Sequence, residues 1–115
     1  MHRSSDNVTL LPSAARTSSG DTKSAPKEVA EYREAVFFLK VTSVSGTDPT
    51  LDVKIVTYDP ASGDWFDLVS FTQATGTTKE MKAVSSGLGH KIAVEYTIGG
   101  TTPSFTFSVG CVLKS

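Results

Sequence analysis

Residues Tyr58 to Phe71 read YDPASGDWFDLVSF, setting Asp59, Asp64 and Asp67 around a proline and a glycine with Trp65 and Phe66 close behind. Three chemistries suit these residue types. The acids offer oxygen ligands to a hard cation such as Ca²⁺, but the stretch lacks the dense alternating acids and closing bidentate glutamate of a calcium loop. Tyr58 and Trp65, joined by Tyr96, offer flat faces on which a sugar ring can stack, although aromatics on sheets serve mostly as core or interface anchors. The third chemistry is that of a tight hairpin. Asp59 caps the turn, Pro60 presets φ, and Gly63 supplies a left-handed residue at its close. We read the stretch as a turn first.

The remaining reactive side chains are sparse. His2 and His90 are the only histidines, and neither sits in a local Ser–His or acid–His pattern. No glycine-rich phosphate loop, nucleophile elbow or paired-carboxylate motif is present. The chain therefore reads as non-enzymatic, with no metal and no cofactor. Cys111 is the single cysteine, which excludes an intrachain disulfide and a cysteine-based zinc site. It alternates in phase with Phe107, Val109 and Leu113 and reads as a small buried hydrophobe.

The elements that must hold these residues are strands. Period-two alternation places Phe105, Phe107, Val109, Cys111 and Leu113 on one face, and likewise Ile92, Val94, Tyr96 and Ile98. Leu51, Val53 and Ile55 alternate with Asp52 and Lys54. In EAVFFLKVTSV both faces are apolar, Phe37, Leu39 and Val41 against Val36, Phe38 and Val44, as in a central strand. Turn-forming residues separate the runs at Ser45–Pro49, Pro60–Gly63, Thr75–Thr77, Ser86–Gly89 and Gly99-Gly100. KEVAEYRE is short enough for one helical turn and reads as the lead-in to the strand that follows. The pattern specifies an all-β, single antiparallel β-sandwich, jelly-roll or immunoglobulin-like.

Composition shifts near residue 31, dividing an extended N-terminal arm, 1–31, from the sandwich, 32–115. The arm is rich in Ser, Ala, Thr and charge, with one apolar patch at Val8, Leu10 and Leu11 that has the character of a strand added to a sheet edge. In the hairpin, facing Asp59 with Asp64 puts Tyr58 opposite Trp65, Thr57 opposite Phe66 and Ile55 opposite Leu68. That register turns Ile55 to the core and carries Tyr58, Trp65, Val56, Val69 and Phe71 on the other face; a one-residue slip would exchange these assignments. Val8, Leu10, Leu11, Tyr58 and Trp65 are accordingly the candidate partner-binding residues.

At 115 residues, one domain burying roughly two-thirds of its unfolded surface is expected. Lys+Arg 11 against Asp+Glu 12 gives a net charge of −1, without the clustered cations that nucleic-acid binding requires. No run is long and apolar enough to span a bilayer, and the N-terminus has no apolar core of signal-peptide length. The sequon Asn7-Val8-Thr9 thus carries no weight, and a soluble protein made in a cytoplasm is expected.

The string AVFFLKVTSVSGTDPTLDVKIVTYDPASGDWFDLVSFTQATGTTKEM, followed by YTIGGTTPSFTFSVGCVLK, resembles small virion structural proteins of tailed bacteriophages, most of all those that decorate or cement the head. The likeness spans about residues 32–114, with a weaker echo in NVTLLPSAART. It rests on strand-and-turn phrasing and carries no active site. It implies a β-sandwich on the capsid surface of the virion, bound to the major capsid protein and to sister copies, commonly as a homotrimer at local threefold positions, which reinforces the shell. Alternatives are a carbohydrate- or receptor-binding β-module of a fibre or tail, and a tail or neck component.

Overall fold

The computed structural model describes residues 5–115; His2 lies outside them. Seven strands follow in order: β1 (Ser5–Arg16), β2 (Gly20–Asp21), β3 (Lys27–Glu28), β4 (Glu34–Asp59), β5 (Asp64–Ser70), β6 (Thr78–Val84) and β7 (Lys91–Lys114). Every pairing is antiparallel, and there is no helix among the described residues. KEVAEYRE holds the short strand β3 and a turn, as the lead-in it was expected to be.

The long pair β4/β7 organises everything else. Its 26 and 24 residues stay paired from Glu34↔Lys114 to Thr57↔Ile92. A flat strand of that length would reach about 85 Å, whereas the longest dimension of the molecule is 50 Å. The ladder is therefore bent into two leaves. In the first leaf the early half of β4 and the late half of β7 lie between β6 and β1. In the second, the late half of β4 and the early half of β7 lie between β5 and the short β2 and β3.

The bend has a sequence cause that turn chemistry alone misassigns. Ser45–Pro49 and Gly99-Gly100 were expected to separate strands, but both strands run through them. Gly46-Thr47-Asp48-Pro49 and Gly100-Thr101-Thr102-Pro103 are two copies of Gly-Thr-Xaa-Pro facing each other. Their backbones nearly match, with φ of 113° and 114° at the glycines and 49° and 50° at Asp48 and Thr102. Each glycine lies against the other copy. A Cβ on Gly46 would stand 2.7 Å from the Thr102 carbonyl oxygen, and one on Gly100 2.8 Å from that of Asp48. Register shifts on the β4 side fall across this corner.

Between the leaves lies the core. Phe37, Leu39, Val41, Phe105, Phe107, Val109, Cys111 and Leu113 of the first leaf face Leu51, Val53, Ile55, Ile92 and Val94 of the second, all buried. Period-two alternation had assigned each of these correctly. No polar or charged residue is buried with them among the described residues. Residues 5–31 run along the β7 side of both leaves, and Leu11 (6% exposed) and Val29 enter the core. Arg16 fastens this segment, donating hydrogen bonds to the carbonyls of Pro12 (2.7 Å), Ala14 (3.1 Å) and Phe107 (3.0 Å). Its guanidinium also lies over the rings of Phe107 and Tyr96, at 5.0 and 5.8 Å.

The corner makes a direct prediction. Gly46→Ala places a Cβ against backbone at a positive φ and should cost about 1–3 kcal/mol of stability. Gly76→Ala, where nothing lies within 4 Å of the new atom, should leave the melting temperature nearly unchanged. Equal melting temperatures for the two variants would show that the corner tolerates side chains.

Candidate functional site

The opening stretch forms the β4–β5 hairpin. The Gly63 N–H donates to the Asp59 carbonyl at 2.8 Å, and Gly63 adopts φ 75°, as its place in the turn required. The Asp59 carboxylate accepts from the Ala61 N–H (3.0 Å) and the Ser62 hydroxyl (2.8 Å). These bonds hold its pKa below the ordinary value, the Ser62 bond contributing most. Both oxygens of Asp59 thus serve the turn. Asp67 is committed elsewhere, to Lys54 at 3.0 Å. Among the described residues, no group of three or more His, Cys, Asp or Glu is placed to hold a metal ion.

Tyr58↔Trp65 and Thr57↔Phe66 pair as expected, but the register then slips. A bulge at Leu68 pairs Ile55 with Val69 in place of Leu68. The Phe71 N–H consequently bonds the Val53 carbonyl. Val69 and Phe71, expected beside Trp65, move to the core side, where Phe71 is 6% exposed. Ile55 still faces the core. Alternation alone does not reveal a bulge, because both faces of this hairpin are apolar.

Tyr58 and Trp65 stand together on the outer face of the second leaf, ring centroids 5.1 Å apart and tilted by 56°. Both are half-buried, and the Lys91 ammonium lies 4.5 Å from the Tyr58 centroid. Tyr96 does not join them. It pairs with Val53 on the inner side and packs edge-on against Phe107, 5.4 Å away. A three-aromatic shelf is therefore not formed. Farther along the same outer face, Val56 and Ala93 pair and are buried. Beside them runs an ion-pair chain, Lys23–Glu95 at 2.6 Å, Lys54–Glu95 at 3.1 Å and Lys54–Asp67. The Lys23 ammonium, then Lys54, holds the Glu95 carboxyl below its ordinary range against the opposing effect of burial.

On β1, Val8 and Leu10 are half-buried and pack against the core margin, while Leu11 lies within the core. The structure brings Tyr58 and Trp65 together and sets Val8, Leu10 and Leu11 apart from them, on an edge strand of the other leaf. His90 shows its backbone role, its carbonyl accepting the Val29 N–H at 2.9 Å. Cys111 is buried, and desolvation pushes its thiol up to about 11, a weakly reactive state.

Sequence reasoning missed a second surface. Phe38 and Met81 pair across β4 and β6 and remain 41% and 65% exposed on the outer face of the first leaf. Phe38 had been read only as part of a strand apolar on both faces, as in a central strand. The signal was present in the charged residues Glu34 and Lys40 that share its face.

No protein-family model matches the chain, and no curated protein matches it. Among solved structures it is similar to the VP2 subviral particle protein of infectious bursal disease virus (TM-score 0.56, 12% identity), covering 97% of this chain and 32% of that one. It is equally similar in fold to murine APRIL (TM-score 0.56, 11% identity), covering 97% and 99%. Broad bean stain virus gives a TM-score of 0.52 at 13% identity, covering 87% of this chain and 60% of that one. The chain thus spans less than two-thirds of either viral chain. At these identities the likeness defines a fold, the antiparallel β-sandwich that viral capsid proteins share with other proteins.

The ion-pair chain carries a pH dependence. A carboxyl with a depressed folded-state pKa contributes stability that is present above its unfolded value, 4.5 for Glu95, and is lost as pH falls through the folded value. Glu95→Gln should lower the melting temperature at neutral pH, and the gap from the parent should close as the solution is acidified. A gap that stays constant across that range would mean Glu95 acts through packing.

Proposed function

We propose that this protein is a non-enzymatic virion structural protein, a capsid decoration or cement protein of a tailed bacteriophage. The observation that carries this reading is the sandwich fold it has in common with viral capsid proteins, joined to the resemblance of residues 32–114 to head-decoration proteins. Its partners in this reading are the major capsid protein and sister copies of itself, arranged as a homotrimer on the capsid surface. The mechanism is area and multiplicity: many copies, each with a modest interface, hold neighbouring shell subunits together.

Within this reading, Tyr58 and Trp65 are the anchors, since binding hot spots favour Trp and Tyr in partly enclosed settings. Residues 1–31 form the attachment arm beside the sandwich of 32–115. In it Val8 and Leu10 retain exposed surface at the sheet edge, and Leu11 fixes that strand from within. The half-buried Tyr58–Trp65 pair also favours a second reading, a carbohydrate- or receptor-binding module of a fibre or tail.

Mass spectrometry of purified virions, with copy number, tests the location. Trp65→Ala tests the anchor: it should weaken attachment by about 2 kcal/mol or more per site. The folded domain should lose less, because Trp65 is only half-buried; its pairing with Tyr58 is itself worth about 0.5–1.5 kcal/mol. Absence of the chain from virions overturns the reading. Unchanged shell occupancy with loss of glycan binding transfers the anchors to the second one.

A further inference from the structure

The two outer faces of the sandwich differ in how far the chain satisfies them. On the second leaf, the ion-pair chain and the Tyr58–Trp65 pair flank a buried Val56–Ala93 spot. On the first leaf, Phe38 and Met81 lie open to solvent. At one end of this apolar patch Lys40 and Lys79 pair directly across the strands, both exposed. Neither makes an ion pair among the described residues. Like charges placed so are repulsive. At the other end stands Glu34, also exposed and without an ion pair among the described residues, with the exposed Lys114 as its ladder partner on β7.

We propose that this face is the contact between two copies of the chain, stacked leaf to leaf about a twofold axis lying across the strands. Alternation along β4 presents Glu34, Val36, Phe38 and Lys40 outward in that order, over about 20 Å. A twofold axis passing between Val36 and Phe38 reverses the order on the partner copy. Glu34 then meets Lys40, and Val36 meets Phe38, at both ends of the contact.

The flanking strands obey the same rule. Met81 pairs with Phe38, and Ala83 with Val36, so the reversal sets the large Met81 over the small Ala83. On β7, Gly110 pairs with Phe38 and Val112 with Val36, so Val112 stands over Gly110. Every bulky residue meets a smaller one, and each Lys40 gains the acid its own copy does not provide. The surface is self-complementary in size and matches Glu34 with Lys40, while Lys114 falls over Ser108 of the other copy, and such self-matching is what an isologous interface requires. A footprint of about 20 Å by 15–20 Å buries about 600–800 Å² over the two copies, below the range of stable interfaces and in that of weak encounters. The association is therefore weak and concentration-dependent. It is independent of the shell reading, since it uses neither Tyr58 nor Trp65.

Sedimentation equilibrium of the full chain from micromolar to millimolar concentration tests it. A monomer–dimer equilibrium is expected, weakened by salt and abolished by Phe38→Glu, with the melting temperature of that variant measured alongside to separate a lost contact from a lost fold. Glu34→Lys and Lys40→Glu should each weaken dimerisation about tenfold. An equimolar mixture of those two variants should restore it, because both end pairs become Lys–Glu again in the heterodimer. A monomer at every concentration overturns the proposal. So does a dimer indifferent to Phe38→Glu, or one that the mixture fails to restore. Binding of Phe38 and Met81 to an acidic protein other than a second copy, with no self-association, overturns it as well.

Discussion

The architecture depends on one steric fact: two glycines lie where no side chain fits, each against the backbone of the other's Gly-Thr-Xaa-Pro segment. Because Gly46 and Gly100 are in contact with opposite copies of the motif, β4 and β7 must bend together. A bend in one alone would break the ladder that pairs them on both sides of the corner. The apolar faces of the two halves are thereby turned toward each other, and the hydrophobic burial that stabilises the domain becomes available. Thr102 accepts a φ of 50°, unusual for a β-branched residue, at the centre of this arrangement.

Much of this was written plainly in the chain. Phe105 through Leu113 and Leu51 through Ile55 alternate so regularly that their buried faces were legible, and so was the turn from Asp59 to Gly63. Three features were less so. The Leu68 bulge was invisible because Val69 and Phe71 are apolar and suit either face. The corner was mistaken for two turns, because Gly and Pro signal a change of direction without saying whether pairing continues through it. Tyr96 was grouped with Tyr58 by residue type, although its pairing with Val53 sets it on the inner side. Local chemistry reads well from sequence; which face a residue takes after an irregularity does not.

The candidate site was legible to the same degree. Tyr58 opposite Trp65 followed from the turn, because a hairpin register is fixed nearest its loop. The Phe38–Met81 surface needed the pairing of β4 with β6, a nonlocal fact, to bring two ordinary apolar residues together. The two outer faces then express different solutions to one problem. One flanks its apolar centre with Lys23, Glu95, Lys54 and Asp67, and the other leaves its own open between Glu34 and Lys40.

The position of β7 also governs when the fold can form. It is central to both leaves, with β4 along one side and β1, β2 and β3 along the other. The ladder partners Thr57 and Ile92 are 35 positions apart, whereas Glu34 and Lys114 are 80 apart. Contacts this distant in sequence place the domain among slow-folding β topologies. On a ribosome, residues 5–31 emerge well before their partner strand and have nothing to pair with until 91–114 have been made. Through that interval β1 travels as an unpaired strand, and the sheet is completed only after translation has passed Lys114.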